Sequence, residues 1–348
     1  MNSFSSTAAL DAEASKTTGT PRIRVAVAGA TGYAGQELVR LLARHPFAQL
    51  AAATSSSTAA PRSLPALARV WDGAVLPLTD AALDGSDVVF LALPDEAAAD
   101  LAPRLVDAGK RVIDLSGAFR LRDAAARTRW YPSAATLPSV ALVYGLTELH
   151  RPAIAGARLI ACAGCYPTSA LLALAPLADA RVIAGDVVID AKSGVSGAGK
   201  TPSERTHFSE CHGSVSAYGV FNHRHAVEIE QELGREVTFV PHLVPLDRGI
   251  LSTIYAKVRP GVDEAIVEST LQTAYRDAPF VRLVGPALPE IKHVAHTNFC
   301  DIGWRLDAAT GRLVMVSCLD NLVKGAAGQA IQNFNVALGF DERSGLWA

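Results

Sequence analysis

Apolar positions along this chain fall into two rhythms. From Arg22 to about residue 160, runs of strand length ("RIRVAVAGA", "QLAAAT", "SDVVFLALP", "KRVIDLS") alternate with stretches of helical spacing. In "QELVRLLARHP", Leu38, Leu41 and Leu42 fall on one helical face and Pro46 marks the stop; "EAAADLAPRLVDAG" is a second such stretch. Strands alternating with helices and feeding Gly-rich turns predict a parallel, doubly wound α/β sheet. Past residue 160 the rhythm changes. "DVVIDAKSGVSGAG" reads as a strand entering a Gly/Ser loop, and "VTFVPHLVPLDRGILSTIYAKVRP" as two strands flanking a bend. "FCDIGWRLDAATGRLVMVSCLDN" reads as a hairpin turning at Thr310-Gly311. This half is predicted to be α+β around a mixed or mostly antiparallel sheet. The final pattern, "VKGAAGQAIQNFNVALGF", predicts a long helix whose small residues permit close packing.

A length of 348 residues accommodates two such domains. With 49% apolar residues, 19% charged residues and a net charge of −2, there is no electrostatic case for nucleic acid or an anionic membrane as partner. No apolar stretch approaches the roughly 20 residues that span a bilayer. Five scattered cysteines (162, 165, 211, 300 and 318) predict a reducing cytoplasm rather than a disulfide framework. Residues 1–21 are rich in Ser, Thr and Ala and carry Asp11 and Glu13, which reads as a disordered leader rather than a targeting segment.

The first chemical signal is Gly29-Ala-Thr31-Gly32-Tyr33-Ala-Gly35, between a predicted strand and a predicted helix. Glycines there allow a tight turn and let the backbone approach a pyrophosphate at the positive helix end. Close helix–strand packing alone is the plainer alternative. At the end of the second strand, an acid would bind the ribose 2′-hydroxyl of NAD. This chain has "AAATSSSTAAPRS" instead, so NADP is favoured, with Ser55, Ser56, Ser57 or Arg62 available to a 2′-phosphate.

The second signal is "IACAGCYPTSALLAL". By spacing, Cys162 and Cys165 form a C-x-x-C; by local structure, Cys165 stands alone at a helix N-terminus, where a thiolate is favoured. A nucleophilic cysteine needs a base, and "VFNHRHAVEIEQEL" offers His223, His225 and Glu228. His225 and Glu228 lie three apart on one helical face, so the carboxylate can orient the imidazole as in a triad. An exposed, polar helix entrance is the plain reading of His223, and an H-x-H metal site would need further ligands. In "DLSGAFRL", Arg120 can clamp an oxyanion bidentately, and "KSGVSGAGKTP" presents Ser196, Lys200 and backbone N–H groups to an anion. A nicotinamide cofactor, a thiolate and anion-binding loops together suit thioester formation from an activated acyl group, followed by reduction to an aldehyde.

These motifs, with "VPHLVPLDRGI" and "DNLVKGAAGQAIQN", run in one order from about Arg22 to the C-terminus. In them the chain closely resembles the N-acetyl-gamma-glutamyl-phosphate reductase family, which belongs with the aspartate-semialdehyde dehydrogenases. The resemblance implies NADPH-dependent reduction of an acyl phosphate, N-acetyl-glutamyl 5-phosphate, to the 5-semialdehyde in arginine biosynthesis. A related reductase of the aminoadipate type, from lysine biosynthesis, is the alternative. It implies Cys165 as nucleophile, His225 as acid/base, Glu228 beside it, Arg120 near the substrate phosphate and Asn321 beside the nicotinamide. No metal is implied. The implied fold joins a Rossmann domain (22–164 and 322–348) to an α+β catalytic and oligomerisation domain (165–321) of glyceraldehyde-3-phosphate dehydrogenase type. The implied assembly is a homodimer or homotetramer. Val227 stands where the family usually has Pro, and "SSSTAAPR" lacks the Arg that often follows the second strand directly.

Overall fold

The computed structural model describes residues 22–56, 62–134, 137 and 140–347. The leader and Ser57 lie outside the described residues. The first sheet contains β1 (Ile23–Ala28), β2 (Ala48–Ser55), β3 (Val75–Pro77), β4 (Val88–Leu91), β5 (Arg111–Asp114), β6 (Leu142–Gly145) and β7 (Leu159–Cys162). Their order is β3-β2-β1-β4-β5-β7-β6 and every pair is parallel. Helices cover both faces, so Val25–Ala28 and Val88–Leu91 are buried without alternation, as central parallel strands require. The strand order reverses between β1 and β4, which opens a crevice at their C-terminal ends.

The second sheet contains β8 (Ile183–Gly194), β9 (Ser216–Ala217), β10 (Thr238–Val244), β11 (Ile250–Val258), β12 (Val281–Gly285), β13 (Cys300–Asp307) and β14 (Arg312–Leu319). It is mixed, in the order β12-β13-β14-β11-β8-β10-β9. The hairpin β13–β14 forms as expected, with Gly311 at φ +67° in its turn. Both strands around the "PLDRG" bend also form, but they do not pair with each other: β8 lies between them, parallel to β10 and antiparallel to β11. One face of the sheet packs on the helix Cys165–Asp179 and the helix Glu264–Tyr275. Along β11 this leaves Ile250, Ser252, Ile254, Ala256 and Val258 buried while Tyr255 and Lys257 are exposed. Period-2 burial of this kind marks a sheet with one covered face.

The C-terminal pattern is not one uniform helix. Residues Val323–Ala327 form a π-helical turn, with Gly325 N–H donating to Asp320 O and Ala327 N–H to Leu322 O, both at 2.9 Å. An α-helix, Gly328–Ala337, follows and is almost wholly buried. Ile331 and Phe334 join the apolar cluster of Val25, Val27, Leu38 and Phe90, so the chain ends against the first sheet. Among the described residues no helix is long and apolar enough to cross a membrane.

Candidate active site

A cleft of about 470 Å³ lies between the C-terminal ends of the first sheet and the loops of the second. The Gly29–Gly35 loop forms one wall. Gly29 has φ +91°, and a Cβ there would overlap the Ala92 carbonyl; a Cβ on Gly35 would overlap the Gly29 carbonyl. These two glycines are needed by the protein itself. Gly32 is not: it caps the helix Tyr33–Leu42 with φ −71°, and its Cβ would meet nothing closer than 3.6 Å. Its missing side chain is space left on the cleft side, above first-turn N–H groups that have no intrahelical acceptor. A dinucleotide pyrophosphate fits that cradle. Tyr33 stands half-exposed at the cleft wall, and the Thr31 carbonyl accepts from Gln36 Nε2 at 3.0 Å and Lys200 Nζ at 3.2 Å. Ser55 is buried at the end of β2 and Ser56 exposed beyond it; no acid follows. Arg62 pairs through its backbone with Val75, on the far side of β3 from β2.

Cys165 is the first residue of its helix, capped by Gly164, and lines the cleft. Its thiol is not lowered as the helix terminus alone suggests. Burial pushes it up to about 11, against the pull of Arg120 and the Tyr166 N–H. Desolvation of the charged form outweighs the dipole here. Cys162 ends β7, is 1% exposed, and is pushed up by burial to about 12. The C-x-x-C is thus a buried strand residue followed by one cleft residue.

His225 also faces the cleft, in the first turn of the helix Arg224–Leu233. Burial first, then the charges of its neighbours His223, Arg120 and Arg224, hold it well below the ordinary 6.5, so it is neutral. Its Nε2 lies 3.4 Å from Arg120 Nη1, which can only donate, so the lone pair sits on Nε2. A Cβ on Gly164 would lie 2.7 Å from that Nε2 and 2.8 Å from Arg120 Nη1. Glycine therefore lets base and guanidinium reach the turn that carries Cys165.

Glu228 does not orient the imidazole as the i, i+3 spacing suggests. Its Oε1 accepts from the Gly164 N–H at 2.8 Å and the Tyr144 hydroxyl at 2.7 Å, and its Oε2 faces Arg120 Nη1 at 3.5 Å. His225 Nδ1 is buried without a partner. The carboxylate is already taken by the turn at Gly164–Cys165, so the triad geometry is absent. Arg120 is likewise not a free fork. Its Nε donates to Cys162 O and one Nη2 hydrogen to Leu115 O, both at 2.8 Å, while Nη1 faces His225 Nε2 and Glu228 Oε2. Backbone carbonyls therefore hold the Nε/Nη2 edge, one of the edges a bidentate contact could use.

Asn321, 2% exposed, lines the opposite wall. Its Oδ1 accepts from the Gly249 N–H at 2.6 Å and its Nδ2 donates to Ser196 Oγ at 2.9 Å, which leaves one Nδ2 hydrogen free. Ser196 and Lys200 line the cleft too, and Lys200 spans it to the cofactor loop through Thr31. His223 is not brought into the cleft. Its Nδ1 accepts from the His225 N–H at 3.1 Å as helix cap, and its ring lies among Tyr166, Tyr218 and Phe239. Among the described residues no three His, Cys, Asp or Glu side chains gather so as to hold a metal ion.

The sequence reading missed Tyr144, Arg224 and Gly325. Arg224 lines the cleft and is fixed by Asp95 at 2.6 Å, which also accepts from the Gly117 N–H at 2.6 Å. Gly325 backs Cys165: a Cβ there would lie 2.7 Å from Cys165 Cβ. Only the adjacency of Arg224 to His225 was visible in the sequence; the other two contacts join distant segments.

Comparison with known proteins bears on the family and the fold. Residues 24–157 match the model of the semialdehyde dehydrogenase NAD binding domain, and residues 165–321 that of the semialdehyde dehydrogenase dimerisation domain. N-acetyl-gamma-glutamyl-phosphate reductase of Geobacillus thermodenitrificans is 48% identical over 339 residues, covering 93% of this chain and 98% of the relative. The enzyme of that name from Syntrophobacter fumaroxidans is 47% identical over 340 residues, with the same coverage. Among solved structures, aspartate semialdehyde dehydrogenase II from Vibrio cholerae superposes with a TM-score of 0.71 at 18% identity, over 90% of this chain and 98% of that one. Aspartate semialdehyde dehydrogenase with NADP from Candida albicans superposes with a TM-score of 0.65 at 17% identity, over 90% of this chain and 98% of that one. The structural likeness shows the fold, and the sequence identity along nearly the whole chain shows the rest: this chain belongs to the N-acetyl-gamma-glutamyl-phosphate reductase family, on the semialdehyde dehydrogenase fold.

Proposed function

We propose that the chain reduces N-acetyl-L-glutamyl 5-phosphate to N-acetyl-L-glutamate 5-semialdehyde and phosphate, with NADPH as reductant, in the arginine pathway. The observation that carries this is a partly buried thiol at a helix N-terminus that shares a cleft with a neutral imidazole, across from a dinucleotide cradle. In this reading His225 Nε2 takes the Cys165 proton as the thiol attacks the acyl carbon. The C–O bond to phosphate breaks and a C–S bond forms, giving a thioester. The Cys165 N–H at the helix start and the remaining Arg120 and Asn321 hydrogens are the donors near the developing oxyanion. When bound, NADPH supplies the hydride that the thioester accepts. Gly29, Thr31, Gly32, Tyr33 and Gly35 would hold it, with Ser55 or Ser56 toward the 2′-phosphate. His225 passes the first proton to the departing phosphate; expelling the aldehyde then leaves the Cys165 sulfur as a thiolate, which His225 reprotonates with a proton taken from solvent.

The same reading includes a homodimer or homotetramer, working in the cytoplasm, where the five cysteines stay free. Thr253 and Tyr255 share the sheet face away from the helices with their cross-strand neighbours Asp190 and Val188, and with Val314. This half-apolar face suits a second copy of the chain. The enzymatic test is the reverse reaction: purified protein with N-acetyl-glutamate 5-semialdehyde, NADP and phosphate, with the six-carbon aminoadipate analogue as a separate arm. NADPH formation with the five-carbon aldehyde is expected; its absence, or a preference for the longer one, overturns the assignment.

A further inference from the structure

Lys324 is a fully buried charge that the chemistry above does not use. Its Nζ donates to Glu148 Oε1 at 2.6 Å and to Gln332 Oε1 at 2.7 Å, and lies 5.9 Å from the centre of the Phe280 ring. Neither Lys324 nor Glu148 has any side-chain exposure. Glu148 also accepts from Gln332 Nε2 at 2.8 Å, while its Oε2 has no partner. These partners come from three places: the helix Thr147–Ile154 after β6, the C-terminal helix, and the segment entering β12. A buried ion pair is a poor stabiliser, because desolvation offsets most of the attraction. Placement is what such a pair contributes.

What it places is the strap Asp320–Ala327. At the front, Asp320 Oδ1 accepts from the Leu322 N–H at 2.8 Å and the Val323 N–H at 3.0 Å. Its Oδ2 accepts from the His296 N–H at 2.6 Å and from Arg248 at 3.1 Å. At the rear sits Lys324. Between these anchors the backbone makes the π-helical turn, a geometry found mostly as single turns at functional sites. The strap's front presents Asn321, Leu322, Gly325 and Ala326 to the cleft, with Gly325 closed on Cys165.

We propose that the buried Lys324–Glu148 pair is a positioning device for the nucleophile: it draws the π-helical strap back so that the Gly325 backbone walls in Cys165 and Asn321 faces the cleft. Lys324 touches no substrate and acts through the strap. The inference rests on Cys165 being the nucleophile.

The test uses the full chain with Lys324→Met and Glu148→Leu combined, which removes both charges and leaves neither stranded. A merely structural pair predicts parent-like kinetics per folded molecule. The positioning role predicts a melting temperature at or above the parent's, because apolar replacement of a buried pair is commonly neutral or stabilising. It also predicts a kcat at least tenfold lower, toward the roughly 10²-fold that a misplacement of about 1 Å costs. The KM for the acyl substrate stays near the parent value, and iodoacetamide alkylates Cys165 several-fold faster as its wall loosens. Parent-like kcat and alkylation in the folded double variant overturn the proposal. If that variant does not fold, Lys324→Gln decides: its shorter, neutral side chain should give the same two changes, and parent-like values overturn the proposal equally. Alkylation needs no substrate, so it still decides the matter if the parent fails the reverse assay and the functional reading falls.

Discussion

Glu228 Oε1 accepts the Gly164 N–H at 2.8 Å, one residue before Cys165. The acid that sequence spacing assigns to the histidine thus holds the turn that carries Cys165, with Tyr144 and Arg120 as its other partners. Removing it leaves the Arg120 charge buried without its carboxylate. Glu228→Ala should therefore lower stability by about 3 kcal/mol in urea unfolding, the usual scale for breaking a buried pair. Its kcat should fall as the turn loosens. Glu228→Gln keeps an acceptor for Gly164 and Tyr144 and should recover part of both losses. Equal losses in the two variants would mean that charge, not turn geometry, is what the site needs from this residue.

The second prediction concerns the thiol. With Cys165 near 11 and His225 neutral, roughly one thiol in 10⁴ is ionised at pH 7, so proton transfer to His225 has to accompany attack. In the free enzyme, iodoacetamide modification of Cys165 should be slow at pH 7 and rise steadily through pH 9, with no plateau near neutrality. A plateau below pH 8 would show a preformed thiolate. His225→Asn should lower kcat by about 10² to 10⁴-fold, the range for losing a general acid–base group. Cys162→Ala should keep near-parent turnover, because Cys162 is a buried strand end touched by Asn333 Nδ2 at 3.5 Å.

How much of this was written in the chain depends on the range of the interaction. Apolar strand runs, the glycine loop and the Thr310-Gly311 turn are local, and they were legible because sterics and burial act on neighbouring residues. The pairing of β8 between β10 and β11 was not legible, since two strands flanking the "PLDRG" bend do not say which strand each pairs with. The cleft residues divide the same way. Cys165, His225 and Asn321 sit in recognisable motifs and converge; Glu228 and Arg120 are in the site with other partners than their spacing suggested, and His223 keeps to the helix entrance that was its plain reading. Side-chain partners more than 40 residues away decided each case except His223, which is spent on the helix it begins.

Acid stability gives a third prediction. Burial lowers three histidines: His225 well below 6.5, His223 to about 4, and His45 more modestly. Unfolding lets each regain its ordinary affinity for protons, so the unfolded chain binds more protons below pH 6.5 and stability falls as pH drops toward 4. Asp114 opposes this, because burial raises it to about 6 and its contribution is lost as pH rises through that value. Three groups against one give a net loss. The urea midpoint should hold from pH 7 to 8 and decline from 6.5 downward, and His223→Asn should flatten part of the decline. A midpoint constant to pH 5 would refute the buried neutral histidines.

Gly164 carries a fourth prediction. An alanine methyl there meets His225 Nε2 at 2.7 Å and Arg120 Nη1 at 2.8 Å, with no positive φ to add strain. Gly164→Ala should fold, bind NADPH normally by fluorescence titration, and lose most of its kcat because base and guanidinium are pushed off the turn. Lost NADPH binding would instead place the cofactor's reactive end against Gly164.

Cofactor choice supplies the last prediction. The second strand ends at Ser55, which is 5% exposed, and Ser56 is the first exposed side chain beyond it. An acid at this address accepts the 2′-hydroxyl of NAD and repels the phosphate of NADP. Ser56→Asp installs one negative charge where a phosphate dianion is expected. Allowing for screening near a surface, the repulsion is about 1 to 2 kcal/mol, or about tenfold in affinity. The variant's kcat/KM with NADPH should fall by about that factor and its kcat/KM with NADH should rise. Ser56→Asn, neutral and similar in size, should leave the ratio near the parent value and so separates charge from bulk. If Ser56→Asp leaves the NADPH:NADH ratio unchanged, the 2′-phosphate does not lie at the end of β2, and Arg62 beside β3 becomes the next position to change.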